Sequence, residues 1–369
     1  MKIVCEKSEL AKGVGIVSKS VPSKTTMPIL ECILLEVSKK AIKLMTNDME
    51  LGIETLVEGN IVEPGKVALN AKIFSEIVRK LPDSKITIET DSNYQTNITC
   101  EKAKFNISAQ SGKEFPELPD VGKKDFITIS EFDLKEVVRQ TIFSVANNNS
   151  NKIMAGELFD VQKNILKVVS LDGHRISIRR IYLADSSISK KVIVPGRTLL
   201  EISKIVSGNT KSNVDIAFTE NHITFSFQDT RVVSRLVEGS YFQIEQMLVD
   251  GYETKTRLKK RDLLDCIDRA TLLVKENDKR TIILNIQEGA MALEIKSQLG
   301  TWDEELGIEK EGKDLKIGFN PRFLMDALRV IDDDEVSIYF VSEKTPCLIK
   351  DEEKRYTYLI LPINIKQAA

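Results

Sequence analysis

The sequence predicts an α+β chain made of three tandem copies of one domain, each with two helices packed on antiparallel sheet. Two recurrences carry that prediction. Helix entries recur at Glu9-Leu10, Asp133-Leu134 and Asp262-Leu263, with the leucines 124 and then 129 residues apart. A strand-to-helix junction recurs at Leu69-Asn70-Ala71-Lys72, Val194-Pro195-Gly196-Arg197 and Phe319-Asn320-Pro321-Arg322, each copy offset by 125. Self-similarity at a domain-sized period decides the architecture before any motif does.

The elements follow in the same order in each copy. After the first helix comes a strand, at Ile33 to Val37, Glu157 to Val161 and Ile282 to Ile286. After the second helix, apolar and polar residues alternate with period two, as in Val214 to Phe218, Ile223 to Phe227 and Val232 to Leu236. The first copy alternates from Ile86 to Ser108, and the third at Val336 to Phe340, Cys347 to Lys350 and Tyr356 to Leu361. That alternation marks strands with one buried face, which the apolar stripes of the helices must cover. Turn-formers and charges cluster at Pro116 to Lys124 and Val249 to Glu253, which gives domains at 1–120, 125–249 and 252–369. Both joints are short, so a stiff curved array is expected.

Bulk properties exclude several classes. With 369 residues and 42% hydrophobic content the chain can fill three cores, and a net charge of −2 carries no basic excess. Five scattered cysteines without a CxxC pair suit reduced thiols and no zinc site. No apolar run suggests secretion or a membrane span, so a cytoplasmic protein without membrane contact is expected. The charge is nonetheless uneven: the six predicted helices sum to +5, leaving −7 for sheets and loops. Helices gathered on one side would offer a polyanion a mildly basic face, although solvated helices commonly carry such bases.

One stretch, Leu171 to Ile178 (LDGHRISI), crowds Asp172, His174 and Arg175 together. A general base or metal site there lacks partners: His222 is the only other histidine, and no HExxH, GxSxG or phosphate-loop motif occurs. No catalytic residue, metal or cofactor is assigned. Acidic segments at Thr46 (TNDMELGIE) and Thr301 (TWDEELGIE) suggest instead that an acidic turn belongs to the repeat, with Gly173-His174-Arg175 as the second copy's variation. That exposed turn and the apolar C-terminal run Tyr358 to Ile365, which must leave its sheet at Pro362, could together line a groove for a short peptide. An array also has two open ends. Phe105 and Ile107 on a last strand, and Leu272 and Leu273 late in a helix, are either ordinary core or the contacts of those ends.

TTMPIL at Thr25 to Leu30, LDGHR at Leu171 to Arg175, EGSYF at Glu238 to Phe242 and YLILPINI at the end occur in one order on this threefold repeat. In them the chain closely resembles the bacterial sliding clamps, the beta subunits of replicative DNA polymerase. The resemblance implies three DNA-clamp domains, a head-to-tail homodimer forming a six-domain ring, helices lining a hole, and no enzymatic activity. It implies sequence-independent contact with double-stranded DNA at Lys24, Lys72 and Asn148, to which the helical bases Lys12, Arg79 and Arg197 are added. The subunit contact maps onto Phe105, Ile107, Leu272 and Leu273. A peptide groove maps onto Met154, Leu171, Gly173, His174, Arg175, Ile176, Phe242, Met247, Leu359, Leu361, Pro362, Ile363 and Asn364. Its implied partners are the replicative polymerase alpha subunit, the clamp loader, other polymerases and mismatch-repair proteins, bound through short peptides. Many relatives have Pro at the position of Phe242 and Arg at that of Asn364, which puts partner preference in question. Two rival readings are a hydrolase using Asp172 and His174, and a monomeric scaffold that encloses no DNA.

Overall fold

The computed structural model describes residues 1–122, 125–146, 151–184, 188–248, 251–273 and 281–365. Among these residues six α-helices occur at the two stations of each copy: α1 (Lys7–Val17), α2 (Ala71–Lys80), α3 (Glu131–Thr141), α4 (Gly196–Ile205), α5 (Lys260–Thr271) and α6 (Pro321–Val330). Local chemistry sets their starts. Asn70 Oδ1 accepts the backbone N–H of Ile73 at 3.1 Å, and Asn320 Oδ1 that of Arg322 at 3.0 Å, capping α2 and α6. Pro321 opens α6, where its missing N–H costs nothing.

The chain folds into two compact units whose limits are not those of the repeats: Met1–Lys135 with Arg197–Leu236, and Glu136–Gly196 with Val237–Ala369. In the first unit a nine-stranded antiparallel sheet joins the first copy to the second. The strand Leu51–Val57 of the first pairs with Thr230–Arg235 of the second, Ile53 opposite Val232. A five-stranded sheet completes this unit and ends on the strand Ala103–Ser108. Helices α1 and α2 pack together, with Leu10, Val14 and Phe74 buried beneath them. The segment at the end of the first copy straps the sheet: Phe115 joins Cys32, Leu34, Met45 and Ala68, and Val121 joins Ala217 and Val233.

The second unit repeats the plan. Its nine-stranded sheet joins the second copy to the third through Arg175–Tyr182 and Tyr356–Ile360, with Ser177 opposite Tyr358. A four-stranded sheet ends on Gly300–Gly307. The strap here is Tyr241 to Leu248, whose Ile244 is 1% exposed over Leu158, Val169, Ile176 and Leu359. One sequence expectation fails in this unit. TWDEELGIE is no acidic turn; Trp302 to Gly307 lie within the end strand, with Asp303 and Glu305 exposed and Trp302 and Leu306 half-buried. The turn corresponding to Asp48 and Asp172 is at Ser297, so the similarity of letters was out of register.

At Ile33 and Ile282 the first and third copies bury isoleucine, whereas the second buries Glu157, all at 0% exposure. Glu157 Oε2 accepts the Thr141 hydroxyl at 3.1 Å and Oε1 has no partner among the described residues. Burial pushes its pKa up to about 8, the Thr141 hydrogen bond opposing that only partly. The folded chain therefore holds this proton more tightly than the unfolded one. Its contribution to stability is complete below about pH 4.5 and is lost as pH climbs to about 8. Glu157→Gln should unfold like the wild type at pH 5 and be more stable by on the order of 3 kcal/mol at pH 8.5, as read by urea denaturation at both pH values.

Candidate peptide groove and helical cations

The groove lies wholly within the second unit, on the face of the nine-stranded sheet that its strap leaves uncovered. About 500 Å³ of space is bounded by Met154, Leu171, Gly173, His174, Arg175, Ile176, Phe242, Gln246, Met247, Pro346, Leu359 and Leu361. Period-two placement brings Leu171, Ile176 and Leu359 to one face; Ile176 and Leu359 are direct partners across the joint between copies. The 3-10 turn Ile244–Met247 presents Gln246 and Met247, the latter 47% exposed. An Asx turn places Met154, since Asn151 Oδ1 accepts the N–H groups of Ile153 and Met154 at 3.0 and 3.3 Å. Phe242 stands edge-on to Tyr241, with ring centroids 5.9 Å apart, and the Tyr241 hydroxyl donates to Val169 O at 3.2 Å.

The turn beside it is built on Asp172. One carboxylate oxygen accepts the backbone N–H groups of His174 and Arg175, at 2.9 and 3.2 Å, and the other accepts Arg175 Nε at 3.0 Å. Gly173 takes φ +89°, a conformation natural to glycine, while Met49 holds φ +75° at the corresponding turn of the first copy. The His174 ring packs towards Phe323 of α6, 6.0 Å between centroids, and makes no hydrogen bond to Asp172. This is a folded turn, not a base held by a carboxylate.

Arg175 ties the groove floor to the helices behind it. Its guanidinium donates to Asp326 Oδ2 of α6 and to the carbonyl of Phe143, both at 2.6 Å. The Phe143 and Phe323 rings lie 5.3 and 4.5 Å from it. Only 11% of the side chain is exposed, so planar fork and flanking rings fix it in place. Beyond Leu361 the tail turns away: the Ile363 N–H donates to Gly318 O at 2.8 Å, and a side chain at Gly318 would meet Ile363 O and Thr281 Cγ2. Pro362, Ile363 and Asn364 are not among the residues that bound this space. Gln246 and Pro346 do line it; nothing in the sequence near them signalled it.

Of the candidate cations, Lys12 and Lys72 on helices and Lys24 in a loop are exposed and have no ion partner among the described residues. Arg79 pairs with Glu76 at 2.6 Å on its own helix, and Arg197 pairs with Asp48 at 2.6 Å. Asn148 lies outside the described residues. Phe105 is 40% and Leu272 79% exposed, Ile107 is half-buried, and Leu273 packs against the third copy's core.

Three family models match in tandem: the N-terminal, central and C-terminal domains of the DNA polymerase III beta subunit, over residues 1–119, 128–243 and 245–364. The chain belongs to the DNA polymerase III beta subunit family. It is 35% identical over 356 residues to the beta sliding clamp of Staphylococcus aureus, covering 94% of each chain. A crystal structure described as a DNA polymerase III beta subunit, from Eubacterium rectale, superposes with TM-score 0.96 at 60% identity, covering 99% of this chain and 100% of that one. The Bacillus subtilis sliding clamp gives 0.95 at 31% identity, covering 99% of each. Sliding clamps are processivity factors rather than catalysts, so the chain serves a DNA polymerase on DNA without turning over a substrate. Among the described residues no helix is long and apolar enough to cross a membrane.

Arg175→Ala should strand Asp326 and the Phe143 carbonyl and lower the stability of the intact chain by about 2–4 kcal/mol, seen as a lower denaturation midpoint. Arg175→Lys, which keeps the charge but not the fork, should recover only part of that stability.

Proposed function

We propose that two copies of this chain close head to tail into a ring that encircles duplex DNA and holds the polymerase to its template. The groove would receive short peptides of the replicative polymerase alpha subunit, the clamp loader, other polymerases and mismatch-repair proteins. On this reading the domains run over 1–120, 125–249 and 252–369, the protein works in the cytoplasm, and Lys12, Lys24, Lys72, Arg79 and Asn148 are the DNA-facing residues, while Arg197, which the sequence added to them, is engaged by Asp48.

The observation that carries the ring is the repetition of one joint. At the first joint Leu56 N–H donates to Asp229 O at 3.0 Å, and Arg235 N–H to Glu50 O at 2.8 Å. Corresponding bonds at the second run from Arg180 N–H to Arg355 O at 2.8 Å and from Leu361 N–H to His174 O at 2.9 Å. Two joints in one register leave two ends over, the four-stranded sheet ending on Gly300–Gly307 and the five-stranded sheet ending on Ala103–Ser108. Pairing them between copies makes a third nine-stranded sheet and satisfies both edges. Transferring the register sets Phe105 opposite Trp302, Lys104 opposite Asp303 and Lys102 opposite Glu305. Faces agree: Asp303, Glu305, Lys102 and Lys104 are exposed, and Trp302 is half-buried where it would meet the exposed Phe105. Leu272 would gain a cover, Leu273 and Ile107 would complete the contact, and each apolar side chain so covered contributes roughly 1.5–3 kcal/mol.

Solution mass at micromolar concentration tests the ring. The wild type should weigh two chains, while Leu273→Asp and Phe105→Asp weigh one. A wild-type monomer would refute closure. Lys104→Asp should weaken the dimer and Lys104→Asp with Asp303→Lys should restore it, which checks the register itself. For the groove, Leu361→Ala and Met154→Ala should each lower affinity for a peptide carrying leucine and phenylalanine by about tenfold in a fluorescence titration, with the dimer intact.

A further inference from the structure

The second residue of α2, α4 and α6 is basic in every copy: Lys72, Arg197 and Arg322, all exposed. A cation there faces the positive end of the helix dipole, where an acidic residue would be favoured, so helix stability does not account for it. The three positions correspond, yet their surroundings differ. Arg197 reaches Asp48 Oδ2 at 2.6 Å, and the Asp48 side chain is only 6% exposed. Arg322 and Lys72 have no ion partner among the described residues.

A single residue accounts for the difference between the first two joints. Asp48 and Asp172 occupy the same place in corresponding turns, and each spends Oδ1 on the two N–H groups that follow, those of Glu50 and Leu51 or of His174 and Arg175. In the second copy Oδ2 is taken by Arg175 Nε, which leaves Arg322 on the neighbouring helix unclaimed. In the first copy the residue corresponding to Arg175 is Leu51, so Oδ2 is open and Arg197 fills it. At the third copy's turn Ser297 replaces the aspartate, its hydroxyl accepting the Leu299 N–H at 3.0 Å. The joint proposed between copies thus supplies no carboxylate there for Lys72.

Resting on the ring reading, we infer that this position is a backbone-phosphate contact of each repeat, that Arg322 serves in it alongside Lys72, and that Asp48 withholds Arg197 from it. At these positions the side-chain cation is what meets an incoming phosphate, since Asn320 already accepts the N–H groups of Arg322 and Phe323 and Asn70 that of Ile73. Binding of this kind is independent of sequence and weakens with salt in proportion to the number of phosphates neutralised.

The test measures binding of the intact protein to a short duplex by fluorescence anisotropy across a series of salt concentrations. Arg322→Ala and Lys72→Ala should each lower affinity several-fold at low salt and flatten the logarithmic salt slope by about 0.9 for each phosphate left without its cation. Arg197→Ala should change neither. Asp48→Asn, which keeps the turn acceptor, should raise affinity and steepen the slope, and adding Arg197→Ala should erase that increase. An Arg322→Ala slope equal to wild type, an Arg197→Ala weakening as large as that of Lys72→Ala, or an Asp48→Asn variant no tighter than wild type overturns the inference. Unchanged peptide affinity and dimer mass serve as the folding control. Loading onto circular and linear DNA keeps the two levels apart: wild type retained on circles only, with an unaltered Arg322→Ala slope, sinks this inference alone. Wild type released equally from both sinks the ring reading as well.

Discussion

Every strand presents N–H and C=O groups on both sides, and pairing them across the boundary between repeats organises this chain. Each repeat supplies half-sheets of four or five strands, each with an edge open to pairing. The two compact units arise because half-sheets pair across the boundary between copies, Leu51–Val57 with Thr230–Arg235 and Arg175–Tyr182 with Tyr356–Ile360. Covalent repeats and spatial units are therefore out of phase by half a domain. The two half-sheets left over are what make a second copy of the chain the natural partner.

The groove follows from the same joint. Where Arg175–Tyr182 meets Tyr356–Ile360, the strap from Tyr241 to Leu248 covers part of the sheet and stops, leaving Leu171, Ile176 and Leu359 beside Met154 and Met247. Flexible methionines at its rim suit a surface that accepts more than one sequence. Beneath it Arg175 binds residues of two copies, Phe143 of the second and Asp326 of the third, so the floor of the pocket and the bond between repeats share one side chain.

Much of this was legible in the residues. Period-two alternation located the strands, and the recurrence at 125 residues located the helix starts, because both patterns reflect burial that every copy must repeat. Lateral pairing between copies was not legible, since no local pattern says which strand an edge will meet. TWDEELGIE misled because its letters match a turn while its alternation, with Trp302 and Leu306 turned inward, is that of a strand. Pro362 announced the tail's departure from the sheet, and its direction depends on Gly318, far away in sequence, giving the Ile363 backbone room to dock. Gln246 and Pro346 reach the pocket through turns of no distinctive composition. Glu157 carried a signal in the repeat itself, a carboxylate where the other copies have isoleucine.

The two leftover edges carry opposite signs. Ala103–Ser108 and its approach hold Lys102 and Lys104, and Gly300–Gly307 holds Asp303, Glu304 and Glu305. A newly synthesised chain waiting for its mate exposes both, the situation in which strands stack indiscriminately into aggregates. Laid on an identical copy of itself, the first edge would bring ammonium towards ammonium and the second carboxylate towards carboxylate, so like refuses like. On the ring reading, this polarity favours pairing of one edge with the other over pairing of like with like.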